Sequence, residues 1–334
     1  MQIHEKYNHT QFVAGFGFCQ DKEGLEYVTA VLKATFCFDA TGLISIPERK
    51  AMCPIFDRDI FYGKPDSSSL KYPSDIVHAK PGTDIIINGQ AYGRRQKEIR
   101  AGFRIGALEK FIAVCGPRRW ERSLVGMVQI SAPQQFEAIA VSYENAFGGA
   151  FTHDQHGFWC YRHNPVGIGF CEKIAEGQPL PLLEYPQQRI ASANDRPLPA
   201  ALGAVAVGWQ QRTQFAGTFD QQWFNQRRPL WPLDFDERFY NTVAQDQVLN
   251  AKLQGGEQLI LLNLHPQAEM VQLTIPRHQF TVMFRIKDRT DTLTMVADTL
   301  LVEPDEGRFS IAYRGAVPIG NDIRFLKSVH FEEV

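Results

Sequence analysis

The sequence predicts a mainly β protein: sandwich- or barrel-like antiparallel sheets with a loop-rich, Pro/Trp-rich middle and few short helices. Three observations carry that expectation. Apolar residues recur with period two toward both ends of the chain, which is strand spacing. Turn residues punctuate those runs. Aromatics make up 12% of the 334 residues, with 24 phenylalanines, and flat rings suit the space between packed sheets.

Tyr27–Phe38 (YVTAVLKATFCF) sets Leu32, Ala34, Phe36 and Phe38 on one side and Val31, Lys33, Thr35 and Cys37 on the other, giving one clearly apolar face. Asp39-Ala40-Thr41-Gly42 turns the chain, and Leu43–Pro47 returns as a short strand. Pro81-Gly82 and Asn88-Gly89 bracket a buried strand at Ile85–Ile87. Phe103–Ile105 and Phe111–Cys115 follow as strands. Thr242–Leu253 predicts a helix: Thr242 can cap it, Val248, Leu249 and Leu253 share a face, and Gly255-Gly256 end it. Leu259–Leu264 is an apolar strand, and Val282, Phe284 and Ile286 alternate with Met283, Arg285 and Lys287. Thr299–Val302 and Arg308–Arg314 form a hairpin, with Phe309, Ile311 and Tyr313 on one face and Arg308, Ser310 and Arg314 on the other.

The stretch from Ser131 to about Arg238 differs. It holds nine prolines and four of the five tryptophans, Trp159, Trp209, Trp223 and Trp231. Disordered chain lacks such aromatics, so ordered, loop-rich structure is expected, and long ordered loops are usually functional. At its heart lies Tyr143–Phe170, YENAFGGAFTHDQHGFWCYRHNPVGIGF. With no linker or repeat, the expectation is one domain over 1–334: a β-rich part to about 130, a loop-rich part at about 131–240, and a β-rich part at about 255–334.

Thirty-five basic and 37 acidic residues give a net charge of −2, without a basic stripe for nucleic acid. The N-terminus lacks the pattern of a signal peptide, and the apolar run Ala200–Trp209 is far too short to cross a bilayer. The expectation is a soluble, cytoplasmic protein with no stable membrane association. The six cysteines form no CxxC pair and read as reduced, small hydrophobes.

No phosphate loop, dinucleotide fingerprint, nucleophile elbow or His-Glu-x-x-His occurs, so neither a cofactor nor a catalytic set is expected. The one metal-like spacing is His153, His156, Cys160 and His163, which fits no zinc module and reads equally as polar filler of an exposed loop. Carboxylates for acid/base work would come from Asp75 with Asp84, Asp220, or Asp234 with Asp236. Against that, Asp39, Asp84 and Asp220 suit turns that need a side-chain acceptor, and Asp234-x-Asp236 beside Arg238 suits a local ion pair. Lys33 and Lys80, near apolar strands, suit pairing with an acid. Arg118, Arg119 and Trp120 suit either a cation–π stack or a structural corner.

Read together, the segments KATF (Lys33–Phe36), SDIVHAKPGTDIIINGQAY (Ser74–Tyr92), RRW (Arg118–Trp120), YENAFGG (Tyr143–Gly149), NPVGIGF (Asn164–Phe170), GTFDQQW (Gly217–Trp223), RRPLWPLDFDERFYNTVAQDQ (Arg227–Gln247) and GGEQLILLNLHP (Gly255–Pro266) resemble the bacterial family named domain of unknown function 2169 (DUF2169), from about Phe12 to Arg314. The chain departs from the family pattern at Gly116-Pro117-Arg118, where the family usually has Gly-Asp-Arg, and at Pro199-Ala200-Ala201, where it often has Pro-Ala-Gly. The resemblance implies a non-enzymatic adaptor, or chaperone, of the type VI secretion system. Such a protein binds an effector (one with Rhs repeats, a PAAR tip or a membrane-inserting toxin segment) and helps load it on the VgrG/PAAR spike. A hydrolase using the clustered Asp and His residues, and a carbohydrate-binding β module with exposed aromatics, are the competing readings. Protein–protein interfaces favour aromatics and arginine, so the candidate binding residues are Arg119, Trp120, Phe147, Trp159, Asn164, Trp209, Trp223 and Trp231.

Overall fold

A computed structural model describes residues 5–65, 67–122, 126–153, 155, 157–320 and 323–334. The fold is mainly β, built on three larger sheets of seven, five and four strands, and among the described residues no sheet closes into a barrel.

The long strand Glu26–Phe38 organises the seven-stranded sheet. It pairs with Val13–Gln20 on one side and with Arg308–Pro318 on the other, so the two ends of the chain meet across it. Val296–Glu303, Thr83–Ile87 and Val248–Leu249 continue the sheet, and Ile44–Ser45 adds to the end of Glu26–Phe38. All pairings are antiparallel except that between Thr83–Ile87 and Val296–Glu303. The expected hairpins around Asp39–Gly42 and Glu303–Gly307 are both present. Asp39 accepts from the backbone N–H groups of Thr41 and Leu43, as a turn carboxylate does. Gly42 adopts φ 86, and a Cβ there would lie 2.1 Å from the Gln272 carbonyl oxygen, so only glycine lets this turn meet the neighbouring sheet.

The four-stranded sheet orders Glu5–Asn8, Leu326–Glu333, Phe280–Ile286 and Arg289–Thr294. It packs on the apolar face of the seven-stranded sheet. Phe12 lies 5.6 Å from Phe36 and 5.8 Å from Phe280, and Phe280 meets Tyr313 edge-on at 4.8 Å. The five-stranded sheet orders Leu183–Glu184, Leu108–Cys115, Glu98–Ile105, Gln258–Leu262 and Met270–Thr274. Side chains from all three sheets merge into one apolar core running from Phe12 to Phe331.

The sequence gives Glu26–Phe38 one polar face, yet both faces are buried: Lys33 is 3% exposed and Thr35 not at all. The second face is covered by the irregular segment between about 52 and 80. The charges on it find opposite partners on the cover or on the adjacent strand. Lys33 Nζ lies 2.5 Å from Asp75 and 4.3 Å above the Phe56 ring. Arg314 and Lys80 pair with Asp298 and Asp84, each at 2.7 Å. Glu303 takes Arg308 at 2.7 Å and the Tyr72 hydroxyl at 2.5 Å. Arg314 also donates to the Asp75 carbonyl, stitching cover to sheet. Burial pushes the Asp298 carboxyl up, but Arg314 and Lys80 outweigh it and hold the group below its ordinary value.

Thr242–Leu253 is not a helix. It forms a 3-10 turn at Gln245–Gln247 and then the strand Val248–Leu249. The reason is tertiary. The Thr242 hydroxyl, whose oxygen would accept from the helix amides as a cap, and the Thr242 amide both donate to Asp84, and Gln247 Nε2 donates to the carbonyls of Ile85 and Leu202. Bonds to a neighbouring strand outweigh the modest preference of a short segment for helix. Among the described residues the α-helices are Gln210–Thr213 and Gln221–Gln226, both in the proline-rich middle.

Because Lys33 and Asp75 are buried together, removing one charge should cost far more than removing both. Lys33→Met is expected to lower unfolding free energy by about 3–5 kcal/mol. The double variant Lys33→Met/Asp75→Asn, which keeps an acceptor for the Phe56 amide, should recover at least about half of that; urea unfolding measures both.

Candidate protein-binding surfaces

Tyr143–Phe170 folds as two interlocked ends around a projecting hairpin. Tyr143–Asn145 form a 3-10 turn, and Phe147–Gly148 pair in parallel with Ile168–Gly169. Asn164 is fully buried between them. Its Nδ2 donates to the carbonyls of Tyr143 and Phe147 at 2.8 and 3.0 Å, and its own carbonyl accepts from the Gly149 amide at 2.8 Å. Gly148 sits at φ 154, and a Cβ there would lie 2.1 Å from that same Asn164 carbonyl. The segments AFGG and NPVG therefore fit only as a pair. Phe147 packs into a small core with Trp120, Leu180 and Ile190, and Tyr143 meets Trp209 edge-on at 5.1 Å.

What this frame holds out is the hairpin Ala150–His153/Gly157–Cys160. Its Phe158 is 71% exposed and its Trp159 49%. Phe151, paired directly across the hairpin from Trp159, runs nearly parallel to it at 6.5 Å and touches Phe170 at 5.4 Å, flanking the outer ring. His153 faces Glu172 at 3.2 Å, and His156 lies outside the described residues. Half-buried His163 tilts against Tyr161, and burial holds its imidazole below the ordinary value of 6.5. Among the described residues no three His, Cys, Asp or Glu side chains gather as metal ligands, and all six cysteines are unpaired.

The other candidates separate by burial. Arg119 is exposed, while Trp120, Phe147, Asn164 and Trp209 are structural fillers. Trp223 and Trp231 are half-buried: Trp223 donates its indole N–H to the Leu230 carbonyl, and Trp231 lies within about 5 Å of Phe235 and Phe239. Arg118 is a corner, bound to Glu184 at 2.7 Å and to the Pro181 carbonyl at 2.9 Å. Exposed Phe158, Phe219, Phe224 and Leu233 were not singled out by sequence reasoning. Only Asp220 hinted at the last three, since it caps Gln221–Gln226 by accepting from the Trp223 amide.

Each carboxylate considered for acid/base work has a local partner. Asp75 binds Lys33 and Asp84 binds Lys80, Asn241 and Thr242. Asp84 thus lies buried in a strand rather than at a turn. Asp234 accepts from the Thr218 amide and hydroxyl, which hold it below its ordinary value; Arg238 does the same for Asp236.

Residues 23–314 match the model of a family described as "Uncharacterized protein conserved in bacteria (DUF2169)". The chain belongs to the DUF2169 family. No curated protein and no solved structure matches it. The matched stretch of this DUF2169 chain takes in the interlocked frame, the exposed hairpin and the charged seam up to Arg314. Among the described residues no helix is long and apolar enough to cross a membrane.

Gly148→Ala is expected to destabilise the protein by about 2 kcal/mol or more, since strained backbone and a carbonyl clash coincide; thermal melting tests it. A second expectation concerns pH. His78, His163, His265 and His330 are all held below 6.5, first by burial. Between 6.5 and those lower folded-state values the unfolded chain binds more protons, so stability rises with pH there. Urea midpoints should fall as pH drops from 7 toward 5, whereas a flat profile would contradict the histidine burial.

Proposed function

We propose that this DUF2169 chain is a non-enzymatic adaptor, or chaperone, that binds a type VI secretion effector in the cytoplasm and helps load it on a VgrG/PAAR spike. The observation that carries the reading is the hairpin at Ala150–Cys160. Its aromatics are presented to solvent on a base locked by buried Asn164 and by glycines that admit no side chain. Rigid aromatics bind at low entropic cost and supply much of the energy at interface hot spots. The tying of Asp75, Asp84, Asp234 and Asp236 to basic or hydroxyl partners favours binding over hydrolysis. The effector and spike enter through the family resemblance.

Co-purification with an effector or spike protein encoded nearby tests the role; absence of any complex when both are folded would count against it. Within a complex, Trp159→Ala should weaken binding by about 2 kcal/mol or more, as hot-spot truncation does. It should leave the melting temperature nearly unchanged, because the ring is half-exposed. The reverse pattern would make the hairpin merely structural.

A further inference from the structure

A second surface, away from the hairpin in the chain, is shaped for a particular kind of segment. The helix Gln221–Gln226 and the turn Pro232–Asp234 enclose a cleft of about 480 Å³. Its apolar lining is Trp223, Pro232 and Leu233, and Leu233 is 74% exposed. Phe219 and Phe224, both 52% exposed, lie on and just before the same helix. The indole of Trp223 is fixed on two sides, by its hydrogen bond to Leu230 and by Phe219 edge-on at 4.8 Å. Two carboxylates, Asp220 and Asp234, share the lining. Of the lining residues one is a cation, Arg227, already neutralised by Glu23 at 2.7 Å and also bound to the carbonyls of Trp231 and Lys22; outside the lining, Arg228 lies over the Phe224 ring at 5.2 Å. The lining therefore offers two carboxylates held by amide and hydroxyl donors rather than by a cation, beside a fixed aromatic face and the exposed Leu233.

A positive side chain gains from both features. A carboxylate attracts it by charge, and an indole face attracts it through its quadrupole. The protruding Leu233 calls for an apolar neighbour of that cation. We propose that this cleft docks a segment of a partner protein in which lysine or arginine alternates with leucine-like residues. This rests on the binding role proposed above and names the chemistry of one contact.

The probe is a capped 14-residue peptide of leucine and lysine in amphipathic order, titrated against the full chain by fluorescence anisotropy, with a leucine–glutamate peptide as counterpart. Asp220→Asn and Asp234→Asn keep the acceptors for Trp223 and Thr218, and Leu233→Ser alters an exposed side chain, so all three should fold. The basic peptide is expected to bind at least about tenfold more tightly than the acidic one, and to weaken about tenfold in Asp220→Asn/Asp234→Asn and in Leu233→Ser but not in the distant exposed control Glu269→Gln. Equal binding of both peptides, or basic-peptide binding that ignores the cleft variants, overturns the proposal. So does self-association of the protein that Leu233→Ser abolishes, because the cleft would then belong to a second copy. Capture of an effector that survives the cleft variants but fails in Trp159→Ala would remove this contact while leaving the adaptor reading intact.

Discussion

The fold depends on the neutralisation of charge on the second face of the seven-stranded sheet. A strand that carries Lys33 between Leu32 and Ala34 can be covered only if the ammonium finds an anion there, because an isolated buried charge is too costly to keep. Asp75 supplies it, and Arg314 with Asp298 and Lys80 with Asp84 repeat the solution across neighbouring strands. The cover is a segment with little regular structure, so hydrophobic area alone would fix its position weakly. Ion pairs and hydrogen bonds to carbonyls have narrow geometric tolerance and set its place residue by residue. The cavity beneath Phe56 and Tyr72 is about 10 Å³, close to the least space that holds one water.

The same economy governs the middle of the chain. Irregular backbone leaves amides and carbonyls without ladder partners, and each must be satisfied some other way. Asn164 does this for three carbonyl or amide groups at once, using its side-chain amide and its own carbonyl. Glycines at 148 and 167 bring the backbones within reach. A segment that reads as loop from its composition is thereby as fixed as a strand, which is what lets it hold Phe158 and Trp159 in solvent.

How much of this was legible in the sequence follows from the range of the forces involved. Strands were readable where period-two patterning is local, as in Tyr27–Phe38, Val282–Ile286 and the hairpin through Glu303–Gly307. The helix expected at Thr242–Leu253 was lost to Asp84, over 150 positions away, a partner no window contains. That Lys33 pairs with an acid was readable from its place in an apolar strand, but which acid was not, since the anion lies 42 residues on. For the candidate surfaces, the segments AFGG and NPVG stood out by composition, but sequence reasoning groups Trp159 and Trp209 together as binding candidates although one is exposed and the other buried. Trp159 stands among aromatics and Trp209 ends the apolar run Ala200–Trp209, and it is the pairing of Ala150–His153 with Gly157–Cys160 that turns Trp159 outward.

Rigidity and exposure are linked here rather than merely coexisting. An apolar ring left in water favours collapse onto the nearest apolar surface. Trp159 is kept from that by the ring beside it: Phe151, its cross-strand partner, flanks the indole and is in turn held by Phe170 at the locked base. Trp223 shows the same logic, its indole bonded to Leu230 and flanked by Phe219. In each case part of the ring is covered by the protein's own residues, which fixes it while the rest stays exposed. A surface prepared in this way loses little conformational freedom when something covers it, and so retains more of the burial energy as affinity.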